Sequence, residues 1–181
     1  MDDDAALMVR ASRGDQDAFA ILVERYCVRA VNFAYRFLGD REAAEDVAQE
    51  AFVRAYQSRH RYRPTASFST WFYRILSNLC LNEMRRRQRQ ERALQSGGSA
   101  NLASSEAVSP ADQYQQQEMS AIVRCALAEL PDKQRLAVVL QRFEGLDYDE
   151  IGRIMGVSRG AVDGLLSRAR EFLRHKLSDY F

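Results

Sequence analysis

Apolar residues return every three or four positions through most of this chain, which is the repeat of a helix that buries one face. Between Asp17 and Leu38 the set is Phe19, Leu22, Val23, Tyr26, Ala30, Phe33, Ala34 and Phe37. Gly39 then stops the helix and Asp40 is placed to cap a new one. A second helix is predicted from Arg41 to about Tyr56, with Ala44, Val47, Ala51 and Ala55 inward. Residues 57–67, QSRHRYRPTAS, break the repeat. A long helix follows from Phe68 to Arg92, capped by Ser67 or Ser69. Its apolar stripe is Phe68, Phe72, Leu76 and Leu79.

The repeat vanishes after Arg92 and returns at Glu118 with Ile122, Ala126 and Leu130. The stretch SGGSANLASSEAVSPADQ between them is rich in Ser, Ala and Gly, the composition of a flexible linker. Pro131 and Asp132 open a helix over Lys133–Phe143, with Leu136, Val139, Leu140 and Phe143 inward, and Gly145 ends it. A short helix, Tyr148 to Met155, turns at Gly156. Ser158 caps a longer one reaching about Leu177. Ile151, Ile154, Val157, Val162, Leu166 and Ala169 form their shared core. The pattern predicts an all-α chain of two small helical domains, 1–92 and 118–181, joined by a flexible linker over 93–117.

Composition excludes several classes. The 46% hydrophobic content suffices for packed cores. No apolar run approaches a membrane span, and the acidic start MDDDAAL lacks the shape of a signal peptide. A cytoplasmic protein without membrane insertion is expected. Cys27, Cys80 and Cys125 are far apart and sit in apolar patterns, so three buried reduced thiols are expected. His60 and His175 have no zinc-like neighbours. No nucleophile–base pair, metal cluster or glycine-rich phosphate loop appears, so neither an enzyme nor a cofactor is expected.

The net charge of +1 hides a strong division. Residues 59–92 hold 9 arginines against 2 glutamates, whereas residues 1–58 hold 7 basic and 11 acidic groups. Concentrated positive charge points to a polyanion. On the Phe68–Arg92 helix, Trp71, Arg74, Asn78, Asn82, Arg85 and Arg89 fall on one strip beside the apolar stripe. Stacking groups next to a backbone-neutralising track suit single-stranded nucleic acid; a solvated basic face with Trp71 in the core has the same pattern. The segment LDYDEIGRIMGVSRGAVDGLLSRAREFLRHKL has helix-turn-helix spacing, with small Gly152 early and Gly156 in the turn.

Taken together, the strings DAFAILVERY, DREAAEDVAQEAFVRAY, ASFSTWFYRILSNLCLNEMRRR and LPDKQRLAVVLQRFEGLDYDEIGRIMGVSRGAV resemble bacterial sigma factors of the extracytoplasmic-function type. The resemblance covers about residues 7–90 and 118–177. It implies a transcription initiation factor that binds RNA polymerase core and directs it to promoters. Glu45, Asp46, Gln49, Glu50 and Phe52 would dock on the core. Tyr62, Arg63, Ser67, Trp71, Asn78 and Asn82 would hold a flipped base and its neighbours in the non-template strand of the −10 element. Arg74, Arg85, Arg86 and Arg87 would hold phosphates there. Ser158, Arg159, Asp163, Ser167, Arg168 and Arg170 would face the duplex −35 element. An anti-sigma partner is implied as well.

The chain departs from the common family pattern at Asp163, Gly164 and Leu165, where many members have a basic residue, a serine and an arginine. Asp163 either accepts from a cytosine amino group or pairs with Arg159 one turn earlier. The alternative to a sigma factor is a stand-alone helix-turn-helix regulator with an N-terminal ligand or dimerisation domain. That alternative leaves the strip at 68–92 unexplained.

Overall fold

A computed structural model describes residues 3–96 and 114–178, with side chains for 3–94 and 121–178. Among the described residues the regular structure is helical: α1 (Asp3–Ser12), α2 (Gln16–Leu38), α3 (Arg41–Gln57), a 3-10 turn (Arg59–Arg61), α4 (Phe68–Ser96), α5 (Tyr114–Ala128), α6 (Asp132–Arg142), α7 (Tyr148–Met155) and α8 (Arg159–Leu177). None of these helices is long and apolar enough to cross a membrane.

Several of the starts and stops have a local cause. Asp15, Asp40 and Ser158 accept from the backbone amides of Ala18, Ala43 and Ala161 at the starts of α2, α3 and α8, filling donors that a helix leaves open. Asp147 and Glu150 form a reciprocal capping box on α7. Ser67 caps α4, its Oγ accepting from the Thr70 amide at 3.2 Å. Gly39 and Gly156 end α2 and α7 at φ of 72° and 68°, where a glycine avoids the Cβ penalty.

The N-terminal half is organised by aromatic packing. Phe33, Phe68, Phe72, Tyr73 and Leu76 are fully buried. Tyr26 meets Phe68 edge-on at 5.1 Å between centroids, and Phe52 stacks on Phe72 at 4.7 Å. Such pairs add about 0.5–1.5 kcal/mol each beyond area burial. In the C-terminal half, Leu136, Val139, Leu140, Ile151, Val162 and Leu166 are buried between α6, α7 and α8. The halves are packed together: α7 lies on α4, and α2 receives α5 and α6.

Four features differ from the sequence reading. Helix α1 was not anticipated; it buries Ala5, Leu7, Met8 and Ala11 and is tied to α2 by Tyr26 donating to Asp4 at 2.6 Å and Arg25 to Asp3 at 2.7 Å. Of the cysteines, only Cys80 is buried; Cys27 is half-buried and Cys125 exposed, because Ala126, Leu127 and Leu130 take the inward side of that segment. Phe143 is 39% exposed rather than inward, since α6 ends at Arg142 and the ring leaves the core at the cap, where Arg36 covers it at 4.4 Å. Finally, α4 continues to Ser96 and α5 begins at Tyr114, so helix occupies both ends of the stretch expected as linker. Residues 97–113, the middle of that stretch, lie outside the described residues.

At Gly152 the packing leaves no space for a side chain. A Cβ there would stand 2.9 Å from the Val157 carbonyl oxygen. Replacing Gly152 with valine is expected to destabilise the protein by about 1–3 kcal/mol through overpacking, seen as a lowered midpoint in thermal unfolding.

Candidate nucleic-acid interface

Helix α4 is buried along one side and open along the other. Phe68, Phe72, Leu76 and Leu79 point inward, while Arg74, Asn78, Asn82, Arg85 and Arg89 are exposed. Trp71 sits at the border, half-buried, edge-on to Tyr62 at 5.4 Å and tilted on Phe68 at 6.1 Å. The expected strip is therefore assembled on one surface.

The loop preceding α4 is ordered by its own side chains. Tyr62 is buried and its hydroxyl donates to the Ala66 carbonyl at 3.1 Å. It was expected to touch DNA; here it props the loop and offers no face to solvent. Ser67 is half-buried in a hydroxyl cluster, 2.9 Å from both Ser69 and Thr70. Arg63 is exposed and donates to the His60 carbonyl at 3.2 Å. Arg54, Gln57, Ser58 and Arg61 line an open groove with Asn78. Arg54, Gln57, Ser58 and Arg61 were not among the expected site residues, although Arg61 lies within the basic segment 59–92 and Arg54 shortly before it.

The arginines of α4 are not equivalent. Glu83 accepts from Arg86 at 2.7 Å and from Arg87 at 2.9 Å, and Arg87 also reaches the Asp40 carboxylate at 3.0 Å. Arg87 is thereby half-buried and joins α4 to the start of α3. Hydrogen bonds from Arg86 first, then from Arg87, hold the Glu83 carboxyl down at about 2. Arg74 and Arg85 form no side-chain ion pair with a described residue and stand free.

On α3, Asp46 and Gln49 are exposed and have no side-chain partner among the described residues, while Glu45 pairs with Arg41 and Glu50 with Arg54, each at 2.6 Å. Phe52 is only partly open because it stacks on Phe72. Val53, 43% exposed, shares the outward face with Asp46, Gln49 and Glu50. It lies off the inward alanine repeat, which was the available signal.

On α8, Ser158 is engaged as the cap. Arg159 pairs with Asp149 of α7 at 2.9 Å, not with Asp163. Asp163 and Ser167 are exposed, and Arg170 donates to the Tyr148 hydroxyl at 2.7 Å. The Arg168 guanidinium lies over Gly164, 3.5 Å from where a Cβ would be.

Two family models match, Sigma-70 region 2 over residues 22–90 and Sigma-70 region 4 over residues 120–173. The extracytoplasmic-function sigma factor SigW of Bacillus subtilis is 35% identical across 94% of this chain and 94% of its own length. The chain belongs to the extracytoplasmic-function sigma factors. The sigma-E factor of Escherichia coli is 32% identical over 96% of this chain and 94% of that protein. Among solved structures, CnrH in complex with the cytosolic domain of CnrY matches at a TM-score of 0.76 and 26% identity, covering 98% of this chain and 99% of that one. The sigma factor RpoE of Bartonella quintana, in complex with the anti-sigma factor NepR, matches at 0.74 and 25%, covering 88% and 96%.

As a sigma factor, this protein is a promoter-directing initiation subunit and not an enzyme. The stand-alone regulator is disfavoured because region 2 accounts for the segment that such a protein leaves idle.

The low value of Glu83 makes a pH test. Its ordinary value is 4.5 and its folded value about 2, so its contribution to stability is complete above the former and lost as pH falls through the latter. Urea unfolding at stepped pH should show Glu83→Gln less stable than wild type at neutral pH. The gap should narrow below about pH 4.5 and close near pH 2.

Proposed function

We propose that α3, α4 and α8 divide the promoter work of this sigma factor. Helix α3 docks on polymerase core, α4 with its preceding loop holds the opened −10 strand, and α8 reads the −35 duplex. The observation that carries this reading is the division of α4, whose exposed asparagine–arginine strip begins beside the hydroxyl-lined loop and Trp71. A flipped base costs a few kcal/mol of unstacking. The open part of Trp71 and the Asn78 and Asn82 amides supply stacking and both donors and acceptors to offset it. Tyr62 serves from beneath by holding the loop. Ser67 serves through its cap, and Arg63 reaches from the loop's outer side.

Arg74, Arg85 and Arg86 neutralise phosphates, whereas Arg87 chiefly fixes α4 against Asp40. Asp46 and Gln49 meet the core directly with Val53 between them, and Glu45, Glu50 and Phe52 shape the same face. An acidic helix face suits a basic partner surface. The factor works in the cytoplasm. An anti-sigma partner fits the resemblance to RpoE, which was solved with NepR.

On α8, Asp163 stands outward without a partner among the described residues, since Arg159 is committed to Asp149. It accepts from a cytosine amino group in the major groove. Arg159, Arg168 and Arg170 position the helix on phosphates, and Ser158 and Ser167 lie at its leading and middle turns.

The direct test is transcription with purified core polymerase, where adding the factor should create site-specific initiation that core alone lacks. Trp71→Ala and Asn78→Ala should impair open-complex formation more than core binding. Equal loss of both, together with lost helicity, would point to a purely structural Trp71. Asp46→Arg or Val53→Asp should weaken core binding with promoter-strand affinity retained. Removing Arg74 or Arg85 should flatten the dependence of log affinity on log salt by about 0.7 per residue for the single strand. Asp163→Ala should relax preference at one −35 position, by about 1–3 kcal/mol, and not weaken all sequences alike.

A further inference from the structure

The turn between α6 and α7 inserts into the other half of the molecule. Its Glu144 side chain is 3% exposed, and an acidic group is almost never buried unless partnered. Both hydrogen-bond partners come from the N-terminal half. Arg29 of α2 donates to it at 3.2 Å, and the buried Tyr73 hydroxyl of α4 donates as well. Burial first, and the carboxylate next, keep that hydroxyl protonated and able to donate.

Buried apolar residues of the two halves run together in one core, and further cationic contacts cross the seam beside them. Arg36 covers the Phe143 ring at 4.4 Å and Arg124 lies over Tyr35 at 5.6 Å. Arg135 crosses to the Phe37 carbonyl at 2.8 Å. These polar groups are satisfied by water when the halves part, which lowers the cost of opening a seam that also buries apolar surface. A buried ion pair is close to energetic balance, which suits a contact that must open.

Opening is required by geometry. Elements centred near −10 and −35 lie about 25 base pairs, or roughly 85 Å of duplex, apart at about 3.4 Å per pair. A compact chain of this length has a radius of gyration of only about 16 Å. With α7 packed on α4, the α4 strip and α8 cannot both reach their elements.

We propose that Glu144 is a latch, holding the two promoter-reading halves closed through Arg29 and Tyr73 until polymerase or promoter engagement releases it. The need for release rests on the two-element reading above; the latch itself is tested without DNA. Small-angle scattering of the full chain should give a radius of gyration near 16 Å, about that of a compact chain of this size. Glu144→Arg and Arg29→Glu should each raise it clearly at unchanged far-ultraviolet helicity. The double exchange, Arg29→Glu with Glu144→Arg, should bring it back. At limiting factor concentration, both single variants should also initiate more readily with core than wild type does.

A wild-type chain that is already extended overturns the latch. So do single variants that stay compact, or a double exchange that stays open. Arg29 is half-exposed, so its variant decides the matter if Glu144→Arg loses helicity. A compact wild type that opens as described but fails to direct core would fault the two-element reading and leave the latch standing.

Discussion

One helix has to be core and reading surface at once, and the rest of the molecule is arranged around that demand on α4. Its inward residues, Phe68, Phe72, Tyr73 and Leu76, are the centre of the aromatic packing. Its outward residues are the amides and guanidinia that face solvent. A small rotation of this helix would carry asparagines into the core and phenylalanines into water. Register is therefore held by some of the largest fully buried side chains in the protein, each worth about 1.5–3 kcal/mol on burial. The Arg87–Asp40 and Arg87–Glu83 pairs then fix the far end.

The two kinds of packing in the molecule differ in character. Within the N-terminal half, rings close on rings and little water can follow. Between halves, the shared apolar core is accompanied by guanidinia on rings and carbonyls and by a carboxylate that meets a phenol. Contacts of the second kind resemble those of separable domains. The contrast follows from charge placement: Arg29, Arg36, Arg124 and Arg135 all stand along the seam.

Most of the fold was legible because helical periodicity records burial directly. The inward sets of α2, α3, α4, α7 and α8 all follow the three-and-four repeat, and caps at Asp40 and Ser158 mark where it restarts. Helix α1 was missed because its inward residues are two alanines, Leu7 and Met8, too weak an apolar signal beside three aspartates. Phe143 and Cys125 were misplaced because a repeat says which side a residue occupies, not whether the helix has ended or a neighbour covers it. The strip on α4 was visible as a projection. Its internal differences were not: Tyr62 beneath the loop, Arg87 tied to Asp40 and Arg159 turned toward Asp149 each depend on a partner distant in the chain or across a turn. Contacts between halves, such as Glu144 with Tyr73, have no local trace at all.

The turn at Gly152 has a consequence for how such a module diversifies. Backbone closes on backbone there, with no room for a methyl group, so the crossing of α7 and α8 is set by atoms every sequence shares. The outward positions Gly160, Asp163, Ser167 and Arg168 lie outside that contact. Substitutions among them alter what is presented to a groove without altering the angle of presentation. The scaffold is rigid where variation would be ruinous and silent where variation is useful, so a new recognition preference lies within reach of single substitutions on an unchanged fold.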